Sequence, residues 1–357
     1  MMRAPNSFAV VVRRRDGTLH VRERAMVDKP RGLARLPFVR GVASLVESLR
    51  MGGEALRFSA EQFETDLVDA GAGIGSAFAL TLVALVTQPD VADPTAGKLK
   101  RSGKGGLVLM AVMVAFLVAL PQGAAAGLNR LLGLGLPVQC PAFQAITGGL
   151  KLAIVVGYLL AIRRVPDIRR VFQYHGAEHK TISTYEAGEP LTVANARAKT
   201  TLHPRCGTTF LVMVVLVSIV IFSGLGAALP RIQTGSALLD NLLFFALKLP
   251  FLPVLVAVTF ELQRVFARYC AVGPLRLLLW PGFLVQKITT AEPDDRELEV
   301  ALASLRVTLF RGTKAPASVG GVGGDSNEGD VRFPDYAALL AASALRSEVS
   351  PRPLTAI

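Results

Sequence analysis

The sequence has few charged residues for its length. Asp, Glu, Lys and Arg make up 18% of its 357 residues, whereas soluble domains average roughly 25%. Hydrophobic residues account for 51% of the chain, and the mean hydropathy is +0.45. This composition argues against a soluble or disordered protein. It predicts an integral membrane protein, with the lipid bilayer as its first partner.

Cysteine and acidic residues are also scarce. The three cysteines, Cys140, Cys206 and Cys270, are too few and too scattered for a disulfide framework. The 27 acidic residues face 39 lysines and arginines, which gives a formal net charge of +12. In a membrane protein such an excess usually marks cytoplasmic connections. No interleaving of basic and aromatic residues accompanies it, so nucleic acid is disfavoured as a partner.

The N-terminus lacks the long apolar core of a secretory signal. Instead, the apolar stretches 7–12 and 19–21, separated by the turn residues Asp16-Gly17-Thr18, predict a short β-hairpin. The arginine-rich residues 1–72 are expected in the cytosol. An amphipathic pattern interrupted by Gly52-Gly53 predicts two short helices at the membrane surface.

Four apolar segments approach the roughly 20 residues needed to cross the hydrocarbon layer. They cover residues 107–128, 142–162, 210–229 and 237–260. Basic residues concentrate before the first segment, after the second and after the fourth. This alternation predicts that both termini and the connection 163–207 are cytosolic, in a protein of the inner (plasma) membrane. The uncharged run 70–89 is either re-entrant or interfacial, or a fifth crossing.

The predicted fold is an all-α polytopic membrane protein. It has about four transmembrane helices, further interfacial helices, the small N-terminal β-hairpin and a cytosolic His/Cys loop. We divide the chain into a cytosolic N-terminal region (1–72), a membrane domain (73–311) and a flexible linker and tail (312–357). Within the tail, residues 333–346 are predicted to form a short helix. The membrane domain contains the metal-binding loop 163–207 and ends in an amphipathic helix.

Three of the four histidines lie in the loop 163–207. His175 and His179 are four residues apart and share one face of a helix, with Glu178 on the same stripe. The order H-x-x-E-H is that of inverted zinc peptidases, whose histidines bind metal and whose glutamate activates water. His203 and Cys206 follow in a turn and complete a tetrahedral donor set of the kind that zinc favours.

Each of these residues also has an ordinary structural interpretation. The histidines can be solvated, His179 and Lys180 can contact a lipid phosphate, and Cys206 can be a small packing residue. Together the residues favour a divalent metal, with zinc the best match to the donors. Four protein ligands would form a closed structural site. Three ligands and a water would form a catalytic site, with Glu178 as the base.

Two lysines, Lys151 and Lys248, lie at membrane depth within the apolar segments, and Glu261 follows the end of the fourth segment. Charges at membrane depth are costly and are functional hypotheses by default, the alternatives being an ion pair between helices or snorkelling. Glu261 ends its segment at the level of the His/Cys loop, which makes it a candidate carboxylate for the metal site.

The same loop carries a resemblance to a known family. Residues 170–180, 191–193 and 203–208 resemble the YqhQ family of uncharacterised bacterial membrane proteins, and the similarity spans roughly residues 1 to 306. Members are commonly described as metal-dependent enzymes, so the resemblance implies a metal site but no substrate. Members usually begin with a glycine-rich segment that this chain lacks, so truncation of its N-terminus is one interpretation of the difference. Ala194 occupies a position at which family members typically have an acidic residue.

Three functions therefore remain open. The first is a metal-dependent hydrolase at the cytosolic membrane face, with Glu178 as general base and the metal held by His175, His179 and either His203 or Cys206. The second is a non-enzymatic scaffold or assembly factor with a structural zinc. A transporter ranks third, because few embedded polar residues offer a pathway. The sequence does not determine the substrate, the metal, the protein partner or the oligomeric state.

Overall fold

The computed structural model describes residues 1–4, 7–26, 36–69, 119–269, 274–313 and 328–342. Helices dominate these residues, and a small sheet accompanies them. The strands are β1 (Met2–Ala4), β2 (Ser7–Arg13), β3 (Leu19–Ala25) and β4 (Glu328–Phe333). The helices are α1 (Val39–Asp69), α2 (Leu120–Leu131), α3 (Pro141–Ile162), α4 (Pro166–Glu186), α5 (Val193–Arg197), α6 (Gly207–Ala228), α7 (Ala237–Lys248), α8 (Leu252–Tyr269), α9 (Trp280–Thr289), α10 (Asp295–Thr313) and α11 (Tyr336–Ala341).

Within the described residues, three helical runs are long and apolar enough to cross a membrane: α3, α6 and the run Ala237–Tyr269. The third run comprises α7, a 3-10 turn at Leu249–Phe251 and α8. The turn falls at Pro250, which has no N–H to donate to an α-helical hydrogen bond. These runs confirm three of the predicted spans and the polytopic helical fold. The helix α2 covers the end of the first predicted span, whose other residues, like 70–89, lie outside the described ones.

The membrane-spanning helices pack as antiparallel neighbours, α3 on α6 and α6 on α8. At Gly148 of α3 an added Cβ would lie 2.5 Å from Ile219 Cδ1, so the missing side chain allows the close approach of α3 and α6. Because α3 and α6 run in opposite directions, α3 ends where α6 begins. The whole connection 163–207 therefore emerges at one end of the helical bundle.

The predicted N-terminal hairpin is confirmed, and it is part of a larger sheet. The sheet is antiparallel in the order β1-β2-β3-β4. The turn between β2 and β3 uses Gly17 at a φ of 91°, a conformation that costs glycine little. The apolar run of β2 is buried on both faces. Ala9 and Val11 pack towards α10, and Phe8 and Val10 pack towards α1.

The described part of the segment 312–357 is ordered: it contains α11, where a short helix is predicted, and the strand β4, which the sequence analysis does not predict. Within this region β4 pairs with β3, with Val331 opposite Val21. Leu339 of α11 is fully buried in the same core as Val21. The mainly polar β4 gives a weak sequence signal, because its stabilisation comes from the backbone hydrogen bonds of the free β3 edge.

The amphipathic region after the hairpin also differs from its prediction. Instead of two short helices separated at Gly52-Gly53, α1 is one continuous helix of 31 residues. Glycine costs only about 1 kcal/mol in a helix interior. Burial of Met51, Ala55 and Phe58 against β2, around the glycines, offsets that cost. Tertiary packing therefore overrides the local helix-breaking signal.

The helix α10 connects the sheet to the His/Cys region because it is buried on two sides. Ala303 and Val307 face the sheet, whereas Leu298 and Leu302 pack against Ala177 of α4. Polar contacts reinforce this position, since Ser304 Oγ donates a hydrogen bond to the carbonyl oxygen of Ala9 in β2. As a result α4 lies between α10 and the end of the bundle at which α6 begins.

Candidate metal centre

The helix α4 presents both predicted histidines. It begins at Pro166, a residue suited to the first helical turn because its missing N–H would be unpaired there in any case. His175 and His179 are one turn apart, and their ring centroids are 4.5 Å apart. Cys206 is the N-cap of α6 and brings its sulfur to the same place from the end of a membrane helix.

His175, His179 and Cys206 form a compact group of metal-ligating atoms. One nitrogen from each histidine and the Cys206 Sγ all lie within 4.8 Å of one another. The His175 Nε2 lies 3.3 Å from Cys206 Sγ. Two ligands of a tetrahedral zinc, one nitrogen and one sulfur, would be about 3.6 Å apart for Zn–N near 2.1 Å and Zn–S near 2.3 Å. The group therefore fits a zinc-sized ion with little rearrangement.

Backbone carbonyl groups orient both rings. His175 Nδ1 donates to the carbonyl oxygen of Thr289 at 2.9 Å, and His179 Nδ1 donates to that of Thr201 at 2.5 Å. A carbonyl oxygen only accepts, so both Nδ1 atoms carry hydrogens. The Nε2 atoms of the two rings are then the ones available to a ligand. Metal-binding histidines in proteins are held in this way.

The three groups polarise one another strongly. Burial by itself lowers the pKa of His175, but the hydrogen bond and negative charge of Cys206 outweigh it and raise that pKa to about 9. Burial likewise raises the pKa of the Cys206 thiol, but hydrogen bonds from His175 and His179 lower it to about 5. At neutral pH the cysteine is therefore a thiolate, the form that binds metals.

The residues that follow α9 pass close along α4. The Ala291 N–H donates to the carbonyl oxygen of Phe172 at 2.9 Å. A Cβ added to Gly176 would lie only 2.3 Å from the carbonyl oxygen of Ala291. Gly176 therefore allows this segment to approach, which places Thr289 O against His175.

His203 lies beside the group, but its hydrogen bonds point elsewhere. Its ring centroid is 5.7 Å from that of His179. Its Nε2 lies 3.3 Å from a carboxylate oxygen of Glu186, and its Nδ1 accepts from the Arg205 N–H at 3.3 Å. The hydrogen bond from His203 lowers the pKa of Glu186. The role of His203 as a fourth ligand stays a prediction.

The two candidate carboxylates differ in position. Glu178 is 28% exposed and forms an ion pair with the amino group of Met1 at 2.5 Å. Its role as a base also stays a prediction. Glu261 lies away from the histidines, on the membrane helix α8. Both of its oxygens accept hydrogen bonds from the guanidinium of Arg40, and one also accepts from the Phe38 N–H. The carboxylate is therefore engaged by residues at the start of α1.

Sequence reasoning missed the residues that support the site. Gln286 is fully buried. Its side chain accepts from the His203 N–H at 2.9 Å and donates to the His203 carbonyl at 2.8 Å, so it fixes the turn that leads to Cys206. Lys180 is 4% exposed and is paired with Glu292 rather than with a lipid. A glutamine within the apolar stretch of α9 is the signal that could have revealed the first contact.

Comparison with known proteins identifies the relatives of this chain. The family described as "Protein of unknown function (DUF1385)" matches residues 36–310. The "Uncharacterized protein YqhQ" of Bacillus subtilis (strain 168) is 26% identical over 325 residues, which cover 87% of this chain and 89% of the relative. No solved structure matches. The family match extends from α1 to α10 and includes His175, His179 and Cys206, so the chain belongs to the DUF1385 family, in agreement with the resemblance to YqhQ.

Proposed function

We propose that this chain is a metal-dependent membrane enzyme of the hydrolase class, in which His175, His179 and Cys206 hold a divalent ion. The observation that carries the proposal is the orientation of the two rings. Each Nδ1 is bonded to a backbone carbonyl, which leaves two Nε2 atoms beside one thiolate. Two imidazoles and a thiolate match the preference of zinc.

The number of ligands favours catalysis over a purely structural role. Three protein ligands leave one coordination position free, which is the arrangement of catalytic zinc sites. When bound there, zinc lowers the pKa of a coordinated water and polarises carbonyl or phosphoryl oxygens. Glu178 lies next to His179 on α4, and its carboxylate would have to leave its ion pair with the Met1 amino group to accept a proton from a bound water.

The position of the group along the chain supports an enzyme that acts at the membrane surface. Cys206 caps the membrane helix α6, and the histidines lie on the helix that follows α3. The basic connections on this side of the bundle favour a cytosolic orientation in the inner membrane. The substrate would therefore approach from the cytosol or from the adjoining lipid leaflet.

A scaffold with a structural zinc is the second candidate. Two of the three ligands, His179 and Cys206, are at most 6% exposed, and His203 is equally buried next to His179. A rotation of the His203 side chain away from Glu186 would supply a fourth ligand and close the site. The metal would then connect α4 to α6, and its binding free energy would contribute to folding.

Cobalt substitution distinguishes the two candidates without a known substrate. The full-length protein is purified in detergent, loaded with Co²⁺ and titrated with azide while the visible absorption is recorded. An open site binds azide and changes its spectrum, whereas a closed four-ligand site does not. His203→Ala should leave the spectrum unchanged in the open site. In the closed site it should change the spectrum and make the metal accessible to azide, because water then replaces the fourth ligand.

Three variants complete the experiment. His175→Ala should lose the metal. Glu178→Gln should retain it and shift the pH titration of the cobalt spectrum, because the neighbouring base has been removed. Glu189→Gln, which changes an ion-paired carboxylate outside the group, is the matched control and should behave as the wild type. A wild-type protein that binds no metal would contradict both candidates.

A further inference from the structure

A second polar cluster lies inside the membrane bundle, away from the histidines. It surrounds a small cavity of about 10 Å³. The polar side chains that line the cavity come from four helices, α2, α3, α6 and α7: Gln122, Gln144, Thr147, Lys151, Ser218 and Lys248. Lys248 is only 2% exposed. A buried ammonium at this depth is costly and needs compensating groups.

The glutamines are oriented towards Lys248. Lys248 Nζ donates to Gln122 Oε1 at 2.9 Å and to Gln144 Oε1 at 3.0 Å. The amide nitrogens face backbone carbonyl oxygens, Gln122 that of Asn241 and Gln144 that of Val138. Because these carbonyls only accept, the assignment of the amide oxygens to the lysine is unambiguous. The faces of Phe222 and Phe244 add cation–π attraction.

The charge of the cavity is not balanced by these contacts. Lys248 uses two of its three N–H groups on the glutamines. Lys151 lines the same cavity, and within the described residues no hydrogen bond or ion pair is formed by its ammonium. All of the cavity's lining residues are described, and none of them is acidic. Two like charges in a medium of low dielectric repel each other strongly.

We propose that this cavity binds one small monovalent anion, of the chloride class, between the ammonium groups of Lys151 and Lys248. An anion bound between the two ammonium groups removes their repulsion. It also accepts hydrogen bonds from the N–H groups that the lysines do not use elsewhere. A metal cation would add to the positive charge. A volume of about 10 Å³ is at the lower limit for a particle the size of a water molecule. Chloride is somewhat larger, so it enters when the flexible lysine side chains move slightly apart, whereas phosphate and sulfate are too large.

The two hydroxyl groups that line the cavity cannot donate to an anion, which leaves the lysines as the essential donors. Thr147 Oγ1 donates to the carbonyl oxygen of Phe143, and Ser218 Oγ donates to that of Val215. Neither hydroxyl retains a hydrogen for the anion. Removal of a single ammonium should therefore weaken binding by about tenfold or more.

Equilibrium dialysis with radioactive chloride tests the proposal directly. The full-length protein in detergent is dialysed at constant ionic strength in sodium gluconate. The wild type should bind a single chloride, which bromide displaces and sulfate does not. Lys151→Gln should bind chloride about tenfold more weakly or not at all, as expected when a charge-assisted hydrogen bond is lost. Lys248→Gln should have the same effect.

Lys287→Gln is the matched control, because Lys287 is an exposed lysine of α9 outside the cavity. It should bind chloride as the wild type does, and all three variants should retain the metal content of the His175 site. If Lys248→Gln fails to fold, Lys151→Gln still decides the question. Chloride binding by the wild type that is absent, or equal to that of Lys151→Gln, would overturn the proposal and leave the cavity to water.

Discussion

At the scale of single residues, the candidate metal centre depends on atoms that no motif contains. Backbone carbonyls of Thr201 and Thr289 set the ring orientations of His179 and His175. Gly176 allows the segment that bears Thr289 to lie against α4. The sequence shows which side chains could bind a metal, but the orientation of the two histidine rings depends on residues more than twenty positions away.

The first prediction concerns the pH dependence of metal binding. Between pH values of about 5 and about 9 Cys206 is a thiolate and His175 carries a proton that the metal must displace. Zinc affinity should therefore rise about tenfold per pH unit in this window and fall more steeply below it, where the thiol is protonated as well. Competition with a chromophoric chelator across the pH range measures this dependence. An affinity that is constant across this window would contradict the assigned ligands.

The second prediction concerns Gly176→Ala. The added Cβ meets the Ala291 carbonyl oxygen, so the segment must shift, at a cost of about 1–3 kcal/mol. The same shift moves Thr289 O away from His175 and should weaken metal binding. Gly52→Ala is the matched control, since nothing lies within 4 Å of its added Cβ. It should stabilise α1 by about 0.4–1 kcal/mol. Unfolding in detergent and zinc affinity are the measurements.

At the scale of secondary-structure elements, α10 is the part that holds the structure outside the bundle together. One side packs on the sheet, and the other packs on α4 beside the candidate ligands. Its sequence shows an acidic start and an apolar pattern typical of an amphipathic helix. Burial on two sides follows only because the sheet covers the side that would otherwise face water.

The third prediction follows from this position. Leu302 is fully buried between α10 and α4, so Leu302→Ala should destabilise the protein by about 2–5 kcal/mol through lost burial and a new cavity. Arg296→Ala changes an exposed position of the same helix and should stay within about 0.5 kcal/mol of the wild type. Chemical denaturation monitored by circular dichroism compares the two. Equal effects would show that α10 is not packed as described.

At the scale of the whole molecule, His175, His179 and Cys206 gather at one end of a membrane bundle. The start of α3, the end of α6 and the start of α7 meet at the opposite end, where Gln139 donates to the carbonyl oxygen of Pro230. The bundle thus has two distinct ends. The proposed enzyme requires the end with the histidines to face the cytosol.

The fourth prediction tests that orientation. Leu131, which is 82% exposed, marks one end, and Ala187, exposed at the end of α4, marks the other. In intact cells a membrane-impermeant maleimide should label Leu131→Cys. It should label Ala187→Cys only after the membrane is permeabilised. The wild type, with its native cysteines, provides the background signal. The reverse pattern would place the histidines outside and contradict the charge-based topology.

Composition and local residue patterns correctly predict the membrane class, three of the spans, the N-terminal hairpin and the placement of His175 and His179 on one face of α4. These features depend on composition and on periodicity within one element, which a short window records. The apolar run of β2 and the spacing of the two histidines are examples. The resemblance to YqhQ, confirmed by the DUF1385 match, rests on the same local motifs.

The packing of segments distant in sequence brings Cys206 against the histidines, turns His203 towards Glu186 and pairs Glu261 with Arg40. It also decided the addition of β4 to the sheet and the continuity of α1 through its glycines. Each of these outcomes is a contact between segments distant in sequence. Their free energy comes from burial and from pairing of backbone groups across the fold, which local residue preferences do not encode.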